Sequence, residues 1–163
     1  MTPETHRFAD DGAIPNSPLP VLVYHGVEAA ADAGSCEALF GANEWGGQWR
    51  SQILYEHHFH STAHEALGIA GGRASVMLGG PSGERFEVRA GDVLVLPAGT
   101  GHCRLESSED LLVVGAYPPG QAWDMRYGDP GEHDEVLANI AAVALPQTDP
   151  VLGPDGPLLE LWR

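Results

Sequence analysis

Two short stretches carry most of the donor chemistry in this chain: H-H-F-H-S-T-A-H-E at 57–65 and G-D-V-L-V-L-P-A-G-T-G-H at 91–102. Imidazole nitrogens and carboxylate oxygens are the donors that borderline transition-metal ions take. In an extended strand alternate side chains share a face, so His58 and His60 fall together, roughly 7 Å apart at Cα, while His57 and Phe59 face the other way. A turn through Ser61, Thr62 and Ala63 brings Glu65 onto the next strand as a third donor. His102, one hairpin further on, is the fourth. Three imidazoles and one carboxylate suit one divalent ion drawn from Mn, Fe, Co, Ni, Cu or Zn. Such a set leaves adjacent positions for water, dioxygen or a chelating substrate, and the ion can polarise a carbonyl or enolate or activate dioxygen. His64 is the rival ligand. It lies four residues after His60, a spacing that serves on a helix, but Ser61-Thr62 between strands disfavours a helix there. Strand parity puts Glu56 and Arg104 on the ligands' side, as a candidate acid or base and a candidate anion contact. His57 and Cys103 are expected to point away.

The elements that must position these groups read as strands. From Ser51 to Tyr117 six β-rich runs follow one another, S-Q-I-L-Y-E-H-H-F-H, E-A-L-G-I-A, A-S-V-M-L, R-F-E-V-R, D-V-L-V-L-P and L-L-V-V-G-A-Y, separated by Gly, Pro and Ser clusters. Close spacing of this kind predicts an antiparallel sandwich or small barrel. The turn G-G-P-S-G at 79–83 joins two runs as a hairpin, and no long helix interrupts the block to suggest a parallel α/β sheet. Ahead of it, a turn-rich start leads into a strand over Leu19–Tyr24 and a helix capped by Ser35 that runs through Phe40 and ends near Gly41 or Asn43. The segment E-W-G-G-Q-W-R reads as a loop whose two Trp residues pack on the sheet. After a loop-rich stretch, Val136, Leu137, Ile140 and Val143 recur at helical spacing and predict a helix from about Glu132 to Val143. The Pro- and Gly-rich tail is expected to be irregular. Its Leu158, Leu159, Leu161 and Trp162 should cover the barrel or a neighbouring subunit.

Composition narrows the partners. Twenty-three acidic residues face eight basic ones, all Arg, and the formal charge of −15 repels phosphate backbones, so nucleic acid is excluded as an expected partner. No run approaches the ~18 apolar residues of a membrane helix. With no signal-like start and only Cys36 and Cys103, outside any CxxC spacing, a reducing, cytoplasmic location is expected. At 163 residues the chain fits one domain.

The pattern His58, any residue, His60, four residues, Glu65, six residues, Gly72 resembles the first cupin motif, with Gln52 where that motif begins in Gly. Gly91, five residues, Pro97, one residue, Gly99, two residues, His102 resembles the second, with Glu106 in place of its closing Asn. Beyond the motifs, D-D-G-A-I-P-N-S-P, V-V-G-A-Y-P-P-G-Q and D-P-V-L-G-P-D-G-P-L extend the likeness over nearly the whole chain, to the YjlB-like small cupins. The resemblance implies an all-β fold, a cupin-type antiparallel β-barrel (double-stranded β-helix, or jelly roll) with a few short flanking helices. It implies a single cupin domain over 1–163 with its barrel core at about 51–117, and metal ligands His58, His60, Glu65 and His102. A homodimer is the assembly expected from family habit and the apolar tail. The function expected is that of a metal-dependent enzyme acting on a small oxygen-rich molecule by oxygenation, isomerisation or decarboxylation, with a dioxygenase-like reaction favoured. The competing expectation is a non-catalytic metabolite-binding or sensing module, and a metal-free barrel with a structural His cluster is the third.

Overall fold

The computed structural model describes all of residues 1–163. Nine strands make its centre: β1 (Glu4–His6), β2 (Val21–Tyr24), β3 (Gly46–Ser51), β4 (Glu65–Gly71), β5 (Arg73–Leu78), β6 (Glu84–Arg89), β7 (Val93–Leu96), β8 (His102–Ser107) and β9 (Leu112–Tyr117). They form a six-stranded sheet in the order β1-β2-β7-β4-β9-β3 and a three-stranded sheet in the order β6-β5-β8. Every pairing is antiparallel. Val21, Val23, Leu67, Ile69, Leu94 and Val113 of the large sheet meet Ala74, Val76, Leu78 and Val88 of the small one in a shared core. This is the antiparallel jelly-roll barrel that the six β-rich runs and the cupin motifs imply.

The large sheet is buried on its outer face as well. Leu22, Tyr24, Ala66, Val93, Val95, Val114 and Ala116 pack there beneath Cys36, Phe40, Trp45, Leu158 and Trp162. Burial on both faces explains why V-L-V-Y and V-L-V-L read as unbroken apolar runs and not as alternations. Helix α1 (Ala33–Ala42) lies so close to β4 that a Cβ built on Gly68 would sit 2.3 Å from the Cys36 sulfur. Only glycine leaves room for the helix at that crossing.

Several local elements differ from the sequence reading. Helix α1 is capped by Asp32, whose carboxylate accepts from the Ser35 amide (3.0 Å), and not by Ser35 itself. E-W-G-G-Q-W-R is not a loop throughout, because Gly46–Ser51 pairs with β9 through a bulge between Gly46 and Trp49. The run expected over 51–60 is a strand only at its first residue. After Ser51 the chain leaves the large sheet, exposes Leu54 and Tyr55, and regains pairing only at the bridges His58↔His102 and Phe59↔Arg126. β8 was absent from the expected runs, since H-C-R-L-E-S is an edge strand with its Arg, Leu and Glu turned toward solvent. β1 pairs on β2 within the turn-rich start.

The helix expected over 132–143 forms as α2 (His133–Ala142), and its buried Val136 packs with Ile14 against Phe59. The tail holds one short helix, α3 (Leu158–Leu161), against the expectation of no regular structure. It is fastened to β2 by Asp149, which accepts the Tyr24 hydroxyl and the amides of Val151 (2.8 Å), Leu152 (3.0 Å) and Leu158 (3.2 Å). The indole of Trp162 donates to the Pro20 carbonyl (2.8 Å). Leu158 and Trp162 are therefore buried by the chain's own barrel, and their apolar surface gives no reason for a second subunit. No helix is long and apolar enough to cross a membrane.

Candidate metal centre

His58 and His102 face each other across a two-bond bridge, with the His58 amide donating to the His102 carbonyl (3.1 Å) and the His102 amide to the His58 carbonyl (2.9 Å). Extended backbone through Phe59 turns His60 to the same side as His58. Phe59, on the opposite side, is fully buried under Val136 and Ile14, which fixes the orientation of both neighbours. Glu65 opens β4 facing the inside of the barrel. The P-A-G-T-G turn closes the site. Gly99 has φ +96°, where a side chain would be strained, and its amide donates to the His60 carbonyl (2.7 Å). Asn16 of D-D-G-A-I-P-N-S-P braces this turn, accepting from the Gly101 amide (3.1 Å) and donating to the Gly79 carbonyl (3.0 Å).

The four side chains converge. One ring nitrogen from each of His58, His60 and His102 lies within 4.8 Å of the others. Glu65 Oε1 stands 3.4 Å from His60 Nε2 and 3.3 Å from His102 Nε2. All four residues are at least 94% buried, with exposures of 4%, 6%, 3% and 2% for His58, His60, His102 and Glu65. Each imidazole has its Nδ1 on a backbone carbonyl: His58 on Glu56 (2.8 Å), His60 on Asp124, His102 on Thr100 (3.0 Å). A carbonyl only accepts, so all three Nδ1 atoms carry the hydrogen and all three Nε2 lone pairs are left free. Glu65 Oε2 accepts from the Tyr117 hydroxyl (2.8 Å), which itself accepts from the Trp49 indole (2.7 Å), whereas Glu65 Oε1 has no hydrogen-bond partner.

Such an arrangement costs free energy unless something positive stands between the groups. Three outward-tied imidazoles with inward lone pairs, beside a bare carboxylate oxygen, fit a cation bound by three nitrogens and one oxygen. The electrostatics show how strongly the buried Glu65 carboxylate calls for a positive neighbour. Burial, with His102 nearby, pushes His58 down to about 3, which keeps it neutral. Burial, the largest single influence, would lower His60, but the Glu65 carboxylate and the Asp124 carbonyl and carboxylate together make the net shift upward. Burial would raise Glu65, yet the His60 and His102 imidazoles hold it below the usual carboxylate range. Burial and the Glu65 charge drive the Tyr117 phenol upward.

The cluster forms the floor of a cavity of about 260 Å³. Trp49, Tyr117 and Trp123 stand on its walls with Ile53, Leu54, Leu67 and Met125, and Ser51 and Gln52 lie at its polar edge. Loop 118–132 supplies Trp123 and Met125, and its Asp124 also takes the Ser61 amide (2.6 Å) and hydroxyl. Arg126 braces that loop internally through Asp124 (2.9 Å) and Glu132 (3.1 Å) and ties it to α2 through Glu135 (3.3 Å).

The remaining candidates sit elsewhere. His64 faces the outer side of β4, where its Nδ1 accepts from the Ala98 amide (2.8 Å) and its ring lies 4.8 Å from that of Trp162. Alternation separates it from Glu65, and burial pushes it down to about 4. The Glu56 side chain is exposed and does not line the cavity; only its backbone carbonyl serves the site, through His58. Parity fails to carry it inward because 52–57 is not a regular strand. Arg104 also lies outside the cavity, bonded to Gln52 (2.8 Å) and Ser107 (2.9 Å) with its guanidinium 4.0 Å above the Tyr55 ring. His57 and Cys103 meet each other at 3.8 Å, away from the cluster. Tyr117, Asp124 and Trp123 are not among the residues that the sequence marks for the site, and Trp49, expected only to pack on the sheet, also lines the cavity. For Tyr117 a signal existed, since it ends the V-V-G-A-Y strand that pairs beside β4.

Residues 50–118 match the cupin family. Over 160 residues the chain is 41% identical to the uncharacterized protein YjlB of Bacillus subtilis (strain 168), covering 98% of this chain and 96% of that one. The chain belongs to the cupin family. Within it, this protein is a YjlB-like cupin. Among solved structures it is similar to procruciferin, an 11S globulin from Brassica napus (16% identity, 83% of this chain and 35% of that one, TM-score 0.41). A second likeness is to an oxalate decarboxylase from Bacillus subtilis (17% identity, 71% of this chain and 29% of that one, TM-score 0.39). The chain thus spans about a third of the length of these two structures, and neither likeness bears on the chemistry of the site.

Proposed function

We propose that this cupin is a metal-dependent enzyme holding one divalent transition-metal ion through His58, His60, His102 and Glu65, and that it acts on a small oxygen-bearing molecule by a dioxygenase-like reaction. The observation that carries the reading is the unpartnered Glu65 Oε1 beside three imidazole nitrogens whose Nδ1 atoms are all tied to carbonyls, at the floor of an open cavity. A divalent ion there supplies Lewis acidity to a bound enolate or carbonyl and a route to dioxygen. The chain's own part is to orient the ligands, to keep water off the apolar walls, and to hold Glu65 to one free oxygen through Tyr117.

Oxygenation is favoured over isomerisation or decarboxylation by what lines the cavity. Those two reactions must return a proton to carbon, and apart from the four ligands the sole ionisable group on the walls is Tyr117, whose hydrogen is committed to Glu65. A small-molecule partner, and not nucleic acid, goes with the charge of −15. Two buried free thiols go with a cytoplasmic location. A single cupin domain assembled as a homodimer remains our reading from the family likeness.

Elemental analysis of the purified protein, beside His58→Ala and His102→Ala, tests the ion site. About one ion per chain in the parent and a loss in both variants is expected; equal metal in all three removes the site. Oxygen uptake across small acids, enols and phenols then tests the reaction. Tight ligand binding without turnover in any metal form would replace the enzyme by a metabolite-binding or sensing module.

A further inference from the structure

The walls of the cavity carry information about charge that the ligand set alone does not. Three neutral imidazoles, one carboxylate and a divalent ion sum to a single positive charge, which one negative charge on a ligand neutralises. No Arg or Lys lines the cavity to meet a second one. The two nearby guanidiniums are engaged, Arg104 with Gln52, Ser107 and the face of Tyr55, and Arg126 with Asp124, Glu132 and Glu135. The chain as a whole, at −15, repels anions. A dianion chelating the ion would thus bring one uncompensated negative charge against Leu67, Ile53 and Met125, the costliest kind of burial.

The walls also choose a shape. Tyr117 and Trp123 lie nearly parallel, 24° apart with ring centroids 6.4 Å from each other, and Trp49 is fixed beside them by its bond to the Tyr117 hydroxyl. Flat aromatic faces favour a flat partner. A cavity of about 260 Å³ lies just below the usual range for drug-sized ligands, but it is roomier than a two-carbon diacid needs. Trp123, 48% exposed, stands where a ligand's outer edge would rest.

Resting on the ion site argued above, we propose that this cavity selects singly anionic, planar ligands that chelate through two oxygens and present an apolar or aromatic body, and that it rejects small dicarboxylates. Selection is made by the walls, which offer stacking surface and withhold cations. The substrate class narrows from oxygen-rich molecules in general to enols or phenols with an adjacent carbonyl or hydroxyl.

The test uses full-length, zinc-loaded protein whose metal content is measured before and after titration. Tropolone, a flat singly anionic chelator, and oxalate, a small dianion, are the probes, read by calorimetry and by quenching of Trp fluorescence. Tropolone is expected to bind at least tenfold more tightly than oxalate and to quench the fluorescence. Trp123→Ala is expected to lose about tenfold for tropolone with metal content unchanged, and Met125→Arg, which adds the missing cation, to gain about tenfold for oxalate. Oxalate binding as tightly as tropolone to protein that keeps one ion per chain overturns the selectivity and leaves the ion site standing. Protein that takes up no zinc brings down the ion site and the selectivity with it.

Discussion

Replacing Tyr117 by Phe removes one oxygen atom and tests how the carboxylate proposed as a metal ligand is held. That oxygen donates to Glu65 Oε2 at 2.8 Å and accepts from the Trp49 indole at 2.7 Å. Phe keeps the ring and its packing, so the change is confined to the two bonds. Glu65 is 2% exposed, and losing the partner of one carboxylate oxygen there costs about 1–3 kcal/mol. The Trp49 indole is only partly buried and can turn to water, so its share is smaller. With both oxygens free, Glu65 is no longer committed to presenting Oε1 toward His60 and His102. Loss of a partner that orients a metal ligand typically weakens affinity about 10–100-fold, or roughly 1.4–2.8 kcal/mol. The assay is competition for zinc or cobalt against a calibrated chelator, with a denaturant midpoint measured on the same samples. Tyr117→Phe should lower metal affinity by that factor, and Trp49→Phe by less, since it acts through Tyr117. An affinity for Tyr117→Phe within twofold of the parent, while His60→Ala abolishes binding, would refute the proposed role of the phenol.

Three further outcomes follow from the packing around the site. Burial holds His64 at about 4, below the ~6.5 of an unfolded histidine, so its neutral form belongs to the folded state. The stability this contributes is whole above pH ~6.5 and is lost as pH falls toward 4, because the unfolded chain takes the proton first, for about 3 kcal/mol over the window. Urea midpoints from pH 7 to 4 should therefore fall less steeply for His64→Gln than for the parent. Gly115→Ala would set a Cβ 2.1 Å from the Trp49 ring, so Trp49 must leave its place; a stability loss of about 1–3 kcal/mol and a shifted Trp emission are expected. Asp149→Ala strips the acceptor from one hydroxyl and three amides, and should cost about 3 kcal/mol and open the 150–163 tail to limited proteolysis without altering metal affinity.

The donors were legible because their positions are set by local rules. Alternation through Phe59 puts His58 and His60 on one side, and the same alternation sets His64 apart from Glu65. The double-buried strands β2, β4 and β7 announced themselves as apolar runs. What the sequence hid depends on contacts far along the chain. β8 is an edge strand with little apolar surface, so its pattern is faint. Segment 52–57 has the β-branched and aromatic residues of a strand, but its one backbone bond to β8 before His58 meets His102 is that of the Arg104 amide to the Leu54 carbonyl (2.8 Å), too little to make a ladder. Parity counted through that stretch pointed Glu56 inward, where the structure leaves it in solvent. Tyr117 and Asp124 act on Glu65 and His60 from 52 and 64 residues away, and nothing local to either marks the partnership.

Crystals of the cobalt-loaded protein, measured on both sides of the cobalt absorption edge, test the ion site most directly. One anomalous peak per chain is expected, in contact with Nε2 of His58, His60 and His102 and with Oε1 of Glu65. Protein carrying one cobalt per chain whose peak lies elsewhere, for instance among His25, Glu4 and Asp92 at the edge of the large sheet, would contradict it.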